Sequence, residues 1–173
     1  FISTSLINRY YILDLMRGKS LIAALTNLGH QVYCVDWGTP GQHEDGMGLD
    51  AYITGRLSRL VDAALQHSGK ERVHVLGHCL GGTMSTILAT LDDSRFASMA
   101  NLTTPISFHD DGMLSAWTRA PFFSPQALAD ALGNVPAWVS QPTFMSLRPM
   151  GQLTKWLRFY QQAGNRKFLE FFH

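Results

Sequence analysis

The sequence predicts an α/β fold: a parallel sheet with crossover helices, followed by a region that is helical throughout. Three observations predict it. Short apolar, β-branched runs alternate with amphipathic stretches up to residue 104. A glycine-flanked cysteine stands where one such run turns directly into a helix. Beyond Thr104 the strand pattern stops, and Trp, Phe and Met recur between prolines.

In chain order, FISTS (1–5) reads as a strand. SLIAALTNLGH reads as a helix, with Ser20 as N-cap and Gly29 ending it. QVYCVDW (31–37) is β-branched and too short for a helix, as expected of a strand buried on both faces. The loop GTPGQHEDGMG follows. Leu49, Tyr52, Ile53, Leu57, Leu60, Val61, Ala64 and Leu65 then recur at helical spacing, and Gly69 closes that helix. RVHVLG (72–77) reads as a second buried strand, LGGTMSTILATL (80–91) as a helix and SMANLTT (98–104) as a third strand. Strands alternating with helices predict right-handed crossovers in one sheet. The expected domains are a core over 1–104 and a helical cap over 105–173. The sheet is expected to lack its last strands, and both chain ends read as interior segments of a longer chain.

Composition narrows the function classes. Of 173 residues, 46% are hydrophobic and 16% charged, which is globular, and a net charge of +1 offers no field for nucleic acid. No apolar stretch approaches the roughly 18 residues of a membrane span, and there is no signal-peptide pattern. Two cysteines, Cys34 and Cys79, are too few for a disulfide framework or a four-ligand zinc site. A cytoplasmic protein with free thiols and no metal is the expectation.

Gly77-His78-Cys79-Leu80-Gly81 has the spacing of the G-x-S-x-G nucleophile elbow, with cysteine for serine. The turn from strand to helix is so tight that side chains two positions either side of the central residue would collide. Gly82 provides one further small contact. Cys79 thus sits at a helix N-terminus, where the dipole and free N–H groups favour negative charge. The N–H of Leu80 points at a developing oxyanion. A buried structural cysteine is the alternative reading of Cys79, and core is the reading of Cys34. A Cys34–Cys79 disulfide is disfavoured by the cytoplasmic context.

These residues resemble the poly(3-hydroxyalkanoate) synthases, a branch of the α/β-hydrolase superfamily. NRYYILDL (8–15), GHQVYCVDWG (29–38), VLGHCLGGT (75–83) and NLTTPISF (101–108) are similar to stretches of that family in the same order, and LGNVPAW and TFMSLRPM to its cap. VDWG and the cap segment look closer to the two-subunit synthases. The resemblance implies an α/β-hydrolase-like fold and a 3-hydroxyacyl-coenzyme A substrate, with Cys79 relaying acyl groups to a growing polyester. It implies no cofactor. It also implies a homo-oligomer or a second synthase subunit, and a location in the cytoplasm at the polyester granule. Three departures stand out. His78 replaces an aromatic or aliphatic residue, Ser107 replaces an acid, and the loops that carry the family's catalytic Asp and His are absent from this chain.

The remaining candidates are weaker. His78 adjoins Cys79, but consecutive residues at such a turn point apart. His109 follows a strand and reads as a loop residue, capped through Asp110 or Asp111. His30, His43, His67 and His173 have ordinary loop or helix contexts. Asp14 reads as fixing the first loop by hydrogen bonds, and Asp36 as ending a strand. In α/β-hydrolases the second oxyanion donor lies on the loop after the first strand here, so a backbone N–H near Ile7 or Asn8 is the candidate. The alternative is that Asn8 only builds the turn. Trp117, Phe122, Phe123, Trp138 and Phe144 either line an acyl channel or form the cap's own core. Two other functions stay open: a cysteine-elbow esterase or thioesterase, and a non-catalytic granule-associated protein.

Overall fold

The computed structural model describes residues 1–109, 112–119, 123–146, 149–162 and 164–165. The chain divides into two compact units, Phe1–His109 and Asp110–His173. In the first, β1 (Ile2–Ser3) leads through a 3₁₀ turn, Tyr10–Leu13, to an antiparallel hairpin of β2 (Asp14–Met16) and β3 (Lys19–Ser20). Gly18, at φ +80°, allows the reversal. Helix α1 (Leu21–Asn27) follows. The Ser20 hydroxyl caps it by accepting the Ala23 N–H at 2.8 Å, and the same hydroxyl donates to Asp14. Gly29, at φ +88°, turns the chain out of the helix.

Residues 31–37 differ from the expected strand. Only Cys34 forms a bridge, parallel to Ile2, with Ile2 N–H donating to Tyr33 at 2.7 Å and Val35 N–H to Ile2 at 3.0 Å. Their partner β1 contributes just two residues to the ladder, so there is little strand to pair with. The next helix begins at Leu49, is π-helical over Ala51–Leu57 and continues as α2 (Ser58–Ser68). Gly69, at φ +67°, closes it.

Strand β4 (Val73–His78) runs parallel to β1 on one side. Helix α3 (Leu80–Leu91) leaves it after a single residue and returns the chain to β5 (Phe96–Leu102), parallel to β4 on its other side. The sheet order is β1-β4-β5. Val35, Ile53, Leu57, Val61, Val73, Val75, Met84 and Leu88 form the buried core on one face of the sheet. Strand β4 is therefore not buried on both faces. Val73, Val75 and Gly77 point into the core, whereas His74 is exposed and Leu76 and His78 are half-buried. The more open face borders a cleft of about 550 Å³ lined by Phe1, Leu25, Val32, His74, Leu76 and Ala100 among others. Among the described residues no strand follows β5, whose last residue, Leu102, is 43% exposed.

The second unit is helical: α4 (Met113–Thr118), α5 (Pro125–Leu132), α6 (Ala137–Ser146) and α7 (Pro149–Gln162). Ser124 caps α5 through the Ala127 N–H at 3.2 Å, and α6 contains Pro142. Phe123, Trp138 and Phe144 are exposed rather than packed as a core. Phe122, Asp110, Asp111, His173 and the Trp117 side chain lie outside the described residues.

The first turn of α3 lies against the strands without room for a Cβ. One built on Gly81 would meet the carbonyl oxygens of Ser3 and Thr4 and stand 2.5 Å from the Thr4 carbonyl carbon. One on Gly77 would meet the Gly82 backbone and stand 2.6 Å from Asn101 Oδ1. One on Gly82 would meet Thr104 and stand 2.8 Å from Asn101 Oδ1. Gly81 faces backbone, which cannot swing aside. Gly81→Val is therefore expected to lose about 2–4 kcal/mol in denaturant unfolding. An unchanged melting temperature would show that helix and strand are not in this contact.

Candidate active site

Between β4 and α3 stands Cys79, at φ 53° and ψ −131°. This conformation is rare for a residue with a Cβ, and it persists only where the surroundings over-determine it. They do so here. The Cys79 N–H donates to Leu102 at 3.0 Å, and its carbonyl accepts from Gly82 at 3.0 Å and Thr83 at 3.4 Å. Thr103, directly after the Leu102 acceptor, is the other non-glycine residue at positive φ among the described residues, at 49°. Both strained residues thus meet at the C-terminal ends of β4 and β5.

The Cys79 thiol is free and half-buried, and its sulfur makes no hydrogen bond to a described residue. Cys34 is also free and makes a long contact, 3.9 Å, to the Val35 carbonyl. Burial, with Asp14 and Asp36 nearby, pushes the Cys34 thiol up to about 11. Cys34 is therefore held in its protonated form through the physiological range.

The loop after β1 reaches the same end of the sheet. Ser3 pairs with Gly77, and continuing that parallel register brings Ser5 level with Cys79. Ser3, Thr4 and Ser5 are fully buried, and each hydroxyl is used or available locally. Ser3 Oγ donates to the Gly81 carbonyl at 2.9 Å, and Thr4 Oγ1 to the Val35 carbonyl at 2.8 Å. Trp37 Nε1 donates to the Thr4 carbonyl at 2.9 Å. Ile7 N–H donates to Ser5 Oγ at 3.1 Å. Of the two loop donors considered, Ile7 is therefore engaged. The N–H groups of Asn8 and Leu80 have no acceptor among the described residues.

No described histidine or carboxylate hydrogen-bonds the Cys79 sulfur. His78 has a buried Nδ1 without a partner among the described residues. His67 Nδ1 pairs with Tyr33 at 2.8 Å, and His74 Nδ1 with Ser98 at 2.8 Å. His30, His43 and His109 are exposed. Asp14 accepts from Ser20, and Asp36 Oδ1 accepts the Gly38 N–H at 2.9 Å, so both shape loops. Among the described residues no group of three or more His, Cys, Asp or Glu is placed to hold a metal ion, and no helix is long and apolar enough to cross a membrane.

Several residues that sequence reasoning passed over build this site. Thr104 Oγ1 donates to the Gly77 carbonyl at 3.2 Å, and Thr83 Oγ1 to the Pro105 carbonyl at 2.7 Å, tying the end of β5 to the Cys79 turn. Arg9 donates from Nη1 to the Gly38 carbonyl at 2.8 Å and from Nη2 to Thr39 Oγ1 at 2.7 Å. For the hydroxyl residues the available signal was the runs STS at the end of β1 and TT after β5, which a buried turn needs as local donors, and Arg9 had none.

A family model described as the alpha/beta hydrolase fold matches residues 12–149. The chain is 34% identical over 170 residues to the poly(3-hydroxyalkanoate) polymerase subunit PhaC of Haloarcula marismortui, covering 97% of this chain and 36% of that protein. It is 35% identical over 170 residues to the subunit of the same name from Haloferax mediterranei, covering 97% and 35%. For the subunit from Synechocystis sp. the identity is 32% over 171 residues, covering 96% and 42%. The chain thus spans 35–42% of the length of these three relatives. The chain belongs to the α/β-hydrolase fold family, and poly(3-hydroxyalkanoate) polymerase subunits are its relatives along nearly its whole length.

Proposed function

We propose that this chain carries the acyl-transfer site of a poly(3-hydroxyalkanoate) synthase, with Cys79 holding the growing chain as a thioester. One observation carries the reading. A half-buried thiol, free of hydrogen bonds to described residues, is held at positive φ at the head of α3, in a chain whose relatives are named as these polymerases. The substrate is a 3-hydroxyacyl-coenzyme A. Coenzyme A enters as part of the substrate, so the reaction calls for no cofactor.

In the loading step the Cys79 sulfur, having lost its proton, attacks the thioester carbonyl carbon. An S–C bond forms and the carbonyl electron pair moves onto oxygen. The unengaged N–H groups of Leu80 and Asn8 receive that charge. Collapse breaks the bond to the coenzyme A sulfur, which leaves as thiolate and takes up a proton. Thioester is exchanged for thioester, so loading is reversible. In the second step the hydroxyl of another unit or of the chain attacks the acyl carbon, an oxygen ester forms and the C–S bond breaks. The hydroxyl's proton passes through a base to the departing sulfur. Sulfur therefore suits relay: it loads without loss and delivers downhill.

The base belongs, in this reading, to a catalytic Asp–His pair outside the described residues, because no described histidine contacts the sulfur. The partners are the substrate, the polyester and either a second copy or a second synthase subunit, in keeping with the word subunit in the relatives' names. The reading also locates the reaction in the cytoplasm, at the surface of a polyester granule.

In the full natural gene product, Cys79→Ala is expected to abolish covalent labelling by radioactive 3-hydroxyacyl-coenzyme A, while Cys34→Ala leaves it intact. Cys79→Ser should fold but turn over slowly, since a hydroxyl depends more on its base. Labelling that survives loss of Cys79 contradicts the mechanism, and free acid in place of polymer identifies a thioesterase instead. Residues 1–173 alone are expected to make no polymer.

Burial also sets the pH at which Cys34 can react. Because the Cys34 thiolate is disfavoured until about pH 11, iodoacetamide at pH 8 should modify Cys79 and spare Cys34, with Cys34 reacting only as the pH approaches that value. Peptide mass spectrometry reads both sites, and equal labelling at pH 8 would refute the burial argument.

A further inference from the structure

We propose that Arg9 is a positioning residue for acyl transfer, holding the Asn8 N–H where it meets the thioester oxygen. The inference rests on the reading of Cys79 as the acyl carrier and adds to it a clamp that neither the family likeness nor the turn itself assigns.

The Ile7–Asn8 peptide lies between two tethered residues, Ile7 and Arg9. On the near side, the fully buried Ser5 hydroxyl accepts the Ile7 N–H at 3.1 Å. This removes Ile7 as an oxyanion donor and leaves the next N–H along the loop, that of Asn8, without an acceptor among the described residues. On the far side, the Arg9 guanidinium reaches across the loop and donates through two nitrogens, at 2.8 Å to the Gly38 carbonyl and at 2.7 Å to Thr39 Oγ1. Arg9 also accepts the Ile12 N–H on its own carbonyl at 3.1 Å, which starts the 3₁₀ turn beyond it.

The anchor on which Arg9 lands is itself fixed. Gly38 N–H donates to Asp36, and just before it Trp37 is bound through Nε1 to the Thr4 carbonyl at 2.9 Å. Thr4 is the residue whose carbonyl presses on Gly81, two positions after Cys79. The loop donor and the sulfur are thus referred to one piece of backbone. A planar guanidinium with two donors fixes orientation as well as distance, and its charge-assisted bonds are stronger than neutral ones. An oxyanion donor works only if it is in place before the charge develops, so a loop free to move would forfeit most of its effect.

The test compares Arg9→Met, Arg9→Lys and Thr39→Val in the full natural gene product. The first readout is single-turnover acylation of Cys79 by 3-hydroxybutyryl-coenzyme A. The second is alkylation of Cys79 by iodoacetamide, a displacement that develops no carbonyl oxyanion. The third is amide exchange at Leu6–Asn8. Arg9→Met is expected to slow acylation about 10- to 100-fold at unchanged half-saturating substrate, with alkylation within about twofold of the parent and faster exchange in the loop. Arg9→Lys should recover part of the loss, and Thr39→Val should lose less than Arg9→Met, because one of two bonds remains. Acylation unchanged in Arg9→Met overturns the clamp while leaving Cys79 as carrier. Acylation and alkylation falling together overturn it too, since the effect would then act on the sulfur. A parent that takes no acyl group on Cys79 overturns the carrier reading and the clamp with it.

Discussion

The contact between the first turn of α3 and the backbone of β1 and β4 is the constraint on which the rest of this unit depends. Gly81 rests on the Ser3 and Thr4 carbonyls, and Gly77 rests on Gly82, at distances no Cβ tolerates. A helix brought that close can follow its strand after one residue, and that residue is forced to positive φ. Cys79 is thereby raised at the end of the sheet with its sulfur unengaged by any described residue. Packing that leaves no space fixes a position in a way that a single hydrogen bond does not.

Around that contact the buried polar groups are used as ties between backbones. Thr4 joins β1 to residues 31–37, Ser3 joins β1 to α3, and Thr104 joins the end of β5 to β4. Each tie satisfies a group whose burial would otherwise cost about 1–3 kcal/mol, and each adds orientation to a loop at the same end of the sheet. In open parallel sheets ligands bind at the carboxyl ends of the strands, where helix N-termini and loop N–H groups converge. The two strained residues and the Cys79 thiol lie there, with the Leu80 N–H at the head of α3. The acyl-relay reading asks for such a cluster: a soft nucleophile, a place for negative charge, and little reorganisation between them.

Much of this framework was legible in the residues. Helix α3 starts and ends where its apolar run does, because the glycines that permit it are local in sequence. The Ser20 cap and the Gly69 stop are equally local. What escaped depended on partners far along the chain. Residues 31–37 look like a strand, yet their pairing is limited by the two ladder residues of β1. The β2–β3 hairpin has strands too short to show an alternation. A π-helical stretch of seven residues spaces its apolar positions much as an α-helix does, so Ala51–Leu57 carried no distinguishing mark. Residues 72–77 read as a buried strand, and the exposed His74 between Val73 and Val75 corrects that reading to a strand open on one face. In the site, Cys79, Leu80 and the glycines follow from one motif. Arg9 and Thr104 act on acceptors 29 and 27 positions away in the chain, beyond any local pattern.

The central claim is that the fold imposes an unfavourable backbone on Cys79 in order to present its sulfur, and a comparison of two substitutions tests it most directly. Equilibrium unfolding of Cys79→Gly and Cys79→Ala measures the strain, because both remove the sulfur and only glycine removes the Cβ. At an ordinary backbone position glycine is the less stable of the two by about 0.5–1 kcal/mol. Here the account predicts the reverse, with Cys79→Gly the more stable by about 1–3 kcal/mol. An alanine variant as stable as the glycine variant, or more so, would contradict it.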